Sequence, residues 1–342
     1  MGRHTSKEYF AILIFILISI FAGFVAYHRL EVDLTDQDIY YAWVEGSRIT
    51  NGENPYSRIH ESDMLVNDKY ATYFPLFYEL SALSIKAGFA QFADWVGLWR
   101  GVFLLSNIGV ALLVYTQFHY RGWYLLGLLA CIIWFFNRWT LYVTFVVHLD
   151  IFAILLFLLS LHLFPKARKL SLLLFSLSLA IKQIAIFVIP LILIWTAIEH
   201  QRKKRLFEVV QATVIMVSVP FLSSLPFLIN DFYGFIKSIL FSFTREPTLA
   251  LKAIDLSNYL QLTGAASRIP LIIVMSIIFI VAWRFKLPKY LLAFLVMVAF
   301  TEFNPVSISQ YMVWTMALLP FVVFELYDIH SKSKNIRELK PA

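Results

Sequence analysis

Asp36 and Asp38 stand two residues apart in a chain that is otherwise largely apolar. In a turn or at a helix start, carboxylates at that spacing can share a divalent cation, magnesium or manganese, or one can act as a base while its neighbour tunes it. The alternative is structural: either could cap the helix that begins near Ile39. His148 and Asp150 open an apolar run after Asn137-Arg138. There a cap or a mutual hydrogen bond competes with a substrate contact. Lys182-Gln183 separates two apolar runs. The lysine either snorkels toward a membrane surface or holds an anionic group as a point charge. Arg245, in a stretch with Glu246, Lys252, Asp255 and Arg268, offers a bidentate clamp for phosphate, although such charges also simply solvate a surface. Glu302, Gln310 and Tyr311 flank the turn at Asn304-Pro305. Amide and carboxylate groups there could hydrogen-bond the hydroxyls of a polar ligand, while Tyr311 and Trp314 stack on a ring or anchor an interface.

The elements that must position these residues belong in a bilayer. The 342 residues are 60% hydrophobic with a mean hydropathy of +0.72, more apolar surface than a soluble domain of this length can bury. Cys131, the one cysteine, lies within an apolar run, so no intrachain disulfide forms and packing is its expected role. Hydropathy predicts an all-α polytopic protein forming a single membrane domain over 1–342. Its ten spans lie near 9–27, 96–118, 122–137, 149–165, 169–181, 183–199, 207–229, 269–283, 288–303 and 308–327. The first is long for a signal peptide and lacks a small-x-small cleavage pattern, so it reads as an uncleaved span.

Charge sets the expected orientation. The N-terminus, Arg121, Lys166 to Lys169, Arg202 to Arg205, Arg284 to Lys289 and the tail collect 17 of the 29 Lys and Arg residues but 6 of the 22 acids. The positive-inside rule makes that side cytoplasmic, both termini included, and turns Asp36 and Asp38 toward the periplasm or lumen. The same pattern explains the net charge of +7 without a nucleic-acid partner. Counting 74–92 as a span would reverse every later cluster, so it is expected as interfacial helix on the outer surface. The first outer loop then covers 28–94 and the second 230–268, both longer than mere connections.

Thr35-Asp36-Gln37-Asp38-Ile39-Tyr40, then Gly52-Glu53-Asn54-Pro55-Tyr56, then Tyr73-Phe74-Pro75-Leu76, and finally Gln310-Tyr311-Met312-Val313-Trp314 occur in order from the first span to the last. This series resembles the GT-C membrane glycosyltransferases, and among them enzymes of the GPI mannosyltransferase I type. The resemblance implies a GT-C helical bundle in a bacterial inner membrane or the endoplasmic reticulum. It implies inverting transfer of a hexose, mannose by resemblance, from a polyprenyl- or dolichyl-phosphate donor to a glycolipid or glycan. Asp36 would be the general base, Asp38 its helper with or without a cation, and Lys182 and Arg245 would meet the departing phosphate. His148, Asp150, Gln183, Glu302, Gln310 and Tyr311 would contact donor or acceptor. The basic residue and threonine expected near the Pro-Leu segment are replaced by Ala71-Thr72-Tyr73-Phe74. No Walker loop, dinucleotide glycine motif, paired metal ligands or nucleophile elbow is present, which disfavours nucleotide-fuelled chemistry. A transporter or lipid flippase, or a non-catalytic membrane subunit, is the competing class.

Overall fold

The helices of this chain stop where its polar residues lie. The computed structural model describes residues 6–28, 33–60, 71–244, 256–285, 287–306 and 308–338, and among them the chain is helical without strands. In order, the helices are α1 (Ser6–His28), α2 (Asp38–Thr50), α3 (Leu76–Lys86), α4 (Phe92–His119) and α5 (Tyr124–Phe136). They continue with α6 (Arg138–Phe145), α7 (Asp150–Leu163), α8 (Arg168–Ile181), α9 (Ile189–Glu199) and α10 (Arg202–Asn230). The last are α11 (Phe232–Thr244), α12 (Leu256–Tyr259), α13 (Ile269–Arg284), α14 (Lys289–Phe303) and α15 (Met312–Glu338).

Five helices among the described residues are long and apolar enough to cross a membrane: Ser6–His28, Phe92–His119, Arg202–Asn230, Gly264–Arg284 and Ser309–Lys332. The bent pair α5–α6 makes a sixth if counted as one span. The expected ten spans are therefore not present as membrane-length helices. Helices α7 and α8 have 14 residues each, α9 has 11 and α14 has 15. At 1.5 Å per residue these reach about 16–23 Å, short of a hydrocarbon core of roughly 30 Å. Hydropathy sums over breaks it cannot see. The run 122–137 bends by 50° at Asn137, whose side chain accepts from the backbone N–H groups of Trp139 and Thr140 and so starts α6 anew. The run 183–199 opens as a 3₁₀ turn over Gln183–Val188 before α9 begins.

The two ends of the bundle differ in charge. Arg121 pairs with Asp328 at 2.8 Å, Lys289 with Glu199 at 3.0 Å, and Arg168 also reaches Glu199. Helix α8 runs from Arg168 to the residue before Lys182, α7 from Asp150 toward Lys166, and α15 from the turn at Gln310 toward Lys332. The polar breaks thus lie at the ends of these helices opposite the basic clusters.

Helices α2 and α3 are too short to cross and pack on one another beside those breaks. Their close approach depends on Gly46: a Cβ there would lie 2.6 Å from Ser81 Cβ and 3.0 Å from the Ala82 backbone nitrogen. Below 3 Å something must shift, so Gly46→Ala is expected to destabilise the protein by about 1–3 kcal/mol through overpacking. A thermal melt of the purified variant in detergent measures this.

Candidate functional site

Five separate chain segments bring polar side chains to one point. Asp38 is the first residue of α2, His148 lies in the turn before α7, and Asp150 begins α7. Lys182 occupies the break after α8, and Gln310 sits in the 3₁₀ turn before α15. Tyr73 arrives from the segment before Pro75 and α3. Irregular backbone at a helix end leaves N–H or C=O groups unpaired and costs free energy inside a membrane protein unless the freed groups line a site. Concentrating five such ends in one place is therefore informative.

Asp38 Oδ2 is the hub. The Tyr73 hydroxyl donates to it at 2.8 Å, His148 Nε2 lies at 2.9 Å, Gln310 Nε2 donates at 3.4 Å, and the Lys182 ammonium stands 3.8 Å away. Lys182 Nζ donates to Tyr73 Oη at 2.7 Å, rests 4.0 Å from that ring's centre, and pairs with Asp150 Oδ2 at 3.4 Å. His148 Nδ1 contacts Asp150 Oδ2, and the buried Trp314 indole N–H donates to Asp150 Oδ1. Two carboxylates thus balance an ammonium and an imidazole. Burial by itself would raise the Asp38 carboxyl. The hydrogen bond and charge of His148, the Lys182 charge and the Tyr73 hydroxyl outweigh it and hold Asp38 well below the usual carboxylate range. Burial would likewise favour neutral His148, but the charge of Asp150 and bonds to both aspartates raise it above its ordinary value. The Asp38 side chain is 24% exposed whereas Asp150, Lys182 and His148 are at most 2% exposed, so Asp38 is the most accessible of the four, and Lys182 borders the adjoining cavity.

The residues singled out by sequence fall into three groups. Asp38, His148, Asp150, Lys182 and Gln310 meet in this network. Gln183 and Tyr311 line the adjoining cavity; the Gln183 amide donates to Thr72 O at 3.1 Å, and Tyr311 packs on Phe300 with ring centres 4.9 Å apart. Asp36 is exposed in the turn before α2, Glu302 is exposed near the end of α14, and neither makes the contacts above. Arg245 lies outside the described residues. Lys182 does not snorkel: its ammonium faces inward. Asp38 does not act as the cap of α2, a position held by Gln37.

Other residues complete the site, among them Trp314, which bonds Asp150 instead of stacking on a sugar ring or anchoring an interface. Tyr73 bridges Asp38 and Lys182, and Trp314 fixes Asp150. Arg268, seen in sequence as one of several loop charges, lines the cavity of ≈ 220 Å³ together with Lys182 and Gln183; apolar Ile184, Phe187, Leu271 and Met275 form much of the remaining wall. The signal for Tyr73 in the sequence was its place in the Tyr73-Phe74-Pro75-Leu76 segment that leads into α3. The Gly52 to Tyr56 segment explains how Tyr73 is held. Gly52 takes a φ of +82°, Asn54 Nδ2 donates to Asn230 Oδ1 at 2.9 Å, and the fully buried Tyr56 donates its hydroxyl to Tyr73 O at 2.7 Å. Tyr56→Phe removes one hydrogen bond worth about 0.5–1.5 kcal/mol and should lower site activity by about three- to ten-fold with the fold retained. Comparing turnover and melting temperature of the variant checks this.

Asp38 Oδ2 already faces a hydroxyl, an imidazole, an amide and an ammonium, and the ammonium would repel a second cation. Among the described residues no group of three His, Cys, Asp or Glu side chains is arranged to hold a metal ion. No protein-family model matches the chain, and neither a curated protein nor a solved structure is significantly similar to it.

Proposed function

We propose that this protein is a membrane glycosyltransferase that moves a hexose, mannose by resemblance, from a polyprenyl- or dolichyl-phosphate donor to a hydroxyl acceptor. One observation carries the reading: an apolar cavity bearing Lys182 and Arg268 adjoins a reachable carboxylate whose neighbours favour its ionised form. The cations suit the donor phosphate, and the apolar wall suits the first isoprene units. The acceptor oxygen attacks the anomeric carbon as the carbon–oxygen bond to phosphate breaks, inverting the centre. Asp38, rather than Asp36, takes the acceptor proton, and the lipid phosphate leaves as an anion paired with Lys182 and Arg268. A carboxylate so acidified is a weak base. It accepts the proton late, once the forming bond has made the acceptor oxygen acidic. Tyr73 and the His148–Asp150–Trp314 chain hold Asp38 and Lys182 in register.

The positive-inside rule places the basic helix ends and both termini in the cytoplasm and the site at the periplasmic or luminal face of an inner or endoplasmic-reticulum membrane. Nucleotide sugars lie on the other side. The purified protein in nanodiscs, offered radiolabelled mannose either as polyprenyl-phosphate or as nucleotide conjugate together with a membrane lipid extract, should incorporate label from the lipid-linked form. Incorporation from the nucleotide form instead would overturn the donor assignment.

A further inference from the structure

Asp231, between α10 and α11, receives more bonds than a helix start needs. Its Oδ1 accepts the backbone N–H of Gly234 at 2.9 Å and so caps α11. Its Oδ2 takes the Ser57 hydroxyl at 3.1 Å and lies 2.7 Å from His60 Nε2, both on the 3₁₀ turn Ser57–His60 of the first loop. The cluster is not a nucleophilic triad, because Ser57 donates to the carboxylate rather than to the histidine. Burial alone would raise this carboxyl; the bonds from Gly234, His60 and Ser57 outweigh it and hold it below its ordinary value. Gly234 leaves the room: a Cβ there would lie 2.8 Å from Asp231 Cγ and 2.9 Å from His60 Nε2.

The corner fixed in this way touches the site twice. Phe235, buried on α11, packs on the Tyr56 ring with centres 4.7 Å apart, and Tyr56 donates to Tyr73 O at 2.7 Å. Tyr73 in turn donates to Asp38 and accepts from Lys182. Four residues beyond Phe235, on the same face of α11, Ile239 forms part of the wall of the cavity that holds Lys182 and Arg268. The end of α10 holds the same loop segment: Phe227 meets the Tyr56 ring at 5.4 Å, and Asn230 accepts from Asn54. One carboxylate therefore joins the segment that carries Tyr56 to the helix that walls the cavity.

We propose that Asp231 is a positioning residue: by clamping the α10–α11 corner to the Ser57–His60 turn it sets Tyr73 against Asp38 and Ile239 against the ligand cavity together. Filling the cavity and aligning the carboxylate are thereby linked, each favouring the other. That the aligned carboxylate serves sugar transfer rests on the reading above; the coupling does not.

The test begins with hydrogen exchange of the full chain in nanodiscs, without substrate. Asp231→Ser keeps one oxygen to cap α11 but cannot also hold the turn, and Gly234→Ala displaces the clamp while favouring the helix by propensity. Each should speed exchange about ten-fold, as for one lost charge-assisted hydrogen bond, in two separate peptides, 71–78 and 233–241. Tyr56→Phe should speed the first alone, and Gly234→Ala should add nothing on the Asp231→Ser background. Unchanged exchange at 71–78 in both clamp variants makes Asp231 only a cap and overturns the coupling. Turnover with polyprenyl-phosphate mannose then tests the positioning role. Asp231→Ser should lower kcat about ten-fold and raise the donor KM; with Tyr56→Phe already present the kcat loss should largely vanish while the KM rise persists. Losses in kcat that multiply in full overturn the route through Tyr73. A wild type with the exchange pattern but no transfer refutes the enzyme reading and leaves the coupling standing.

Discussion

Asp38→Asn is expected to abolish the proposed transfer, by about 10³-fold or more, in a protein that still folds. General-base catalysis contributes about 10²–10⁴, and this substitution removes a charge that also orients Lys182 and Tyr73. Asparagine keeps an oxygen for the Tyr73 and Gln310 hydrogen bonds at 2.8 and 3.4 Å, so the packing around α2 survives. Asp36→Asn, altering an exposed carboxylate in the preceding turn, should keep turnover within about three-fold, since most exposed substitutions perturb little. Turnover of the two variants with a lipid-phosphate donor measures the contrast. The pH profile adds a second signature. Asp38, with its folded pKa depressed, contributes stability present above the ordinary carboxylate value of about 3.9 and lost only as pH falls well below it. Histidine 148 is raised, so its contribution is fully present below about 6.5 and fades as pH rises through its higher folded value. Rate and melting temperature should therefore be flat from pH 5 to 6.5 and decline on the alkaline side.

Lys182→Met is expected to cost stability as well as the proposed activity. The ammonium is 1% exposed and pairs with Asp150, which is completely buried. Removing it leaves the Asp38 and Asp150 carboxylates facing His148 alone, with no solvent around Asp150 to compensate. Breaking a buried ion pair from one side costs about 3–5 kcal/mol. The melting transition should fall accordingly, and transfer should disappear because the departing phosphate loses its nearest cation. Lys182→Arg is not expected to rescue either property: the compact ammonium both donates to Tyr73 Oη at 2.7 Å and lies 4.0 Å from the ring, a fit that a planar guanidinium cannot reproduce. A second change, Asp150→Asn on the Lys182→Met background, should recover part of the lost stability by restoring charge balance.

Membrane character, the long helices α1, α4, α10, α13 and α15, and the short helices of the first loop were legible because hydropathy and charge clusters are local properties of sequence. Span number was not, since an apolar run looks the same whether it is one helix or a helix broken at Asn137 or Lys182. Lys182 and Asp150 could be singled out as costly in an apolar context, but not their pairing across 32 positions. The contest between Asp36 and Asp38 could not be decided from a spacing of two. It turns on α2 beginning at Asp38, which carries that carboxylate into the bundle and leaves Asp36 in an exposed turn. Tyr73 was hidden for a related reason: its task depends on Tyr56 holding its carbonyl from a distant segment.

The most direct test of the central claim is phosphorus NMR on polyprenyl-phosphate mannose in liposomes containing the purified wild-type protein and a membrane lipid extract. A transferase converts the phosphodiester signal to that of polyprenyl monophosphate, and the conversion stops in Asp38→Asn. Donor that crosses between leaflets with its phosphodiester intact, equally in wild type and Asp38→Asn, would contradict the account and identify a lipid transporter.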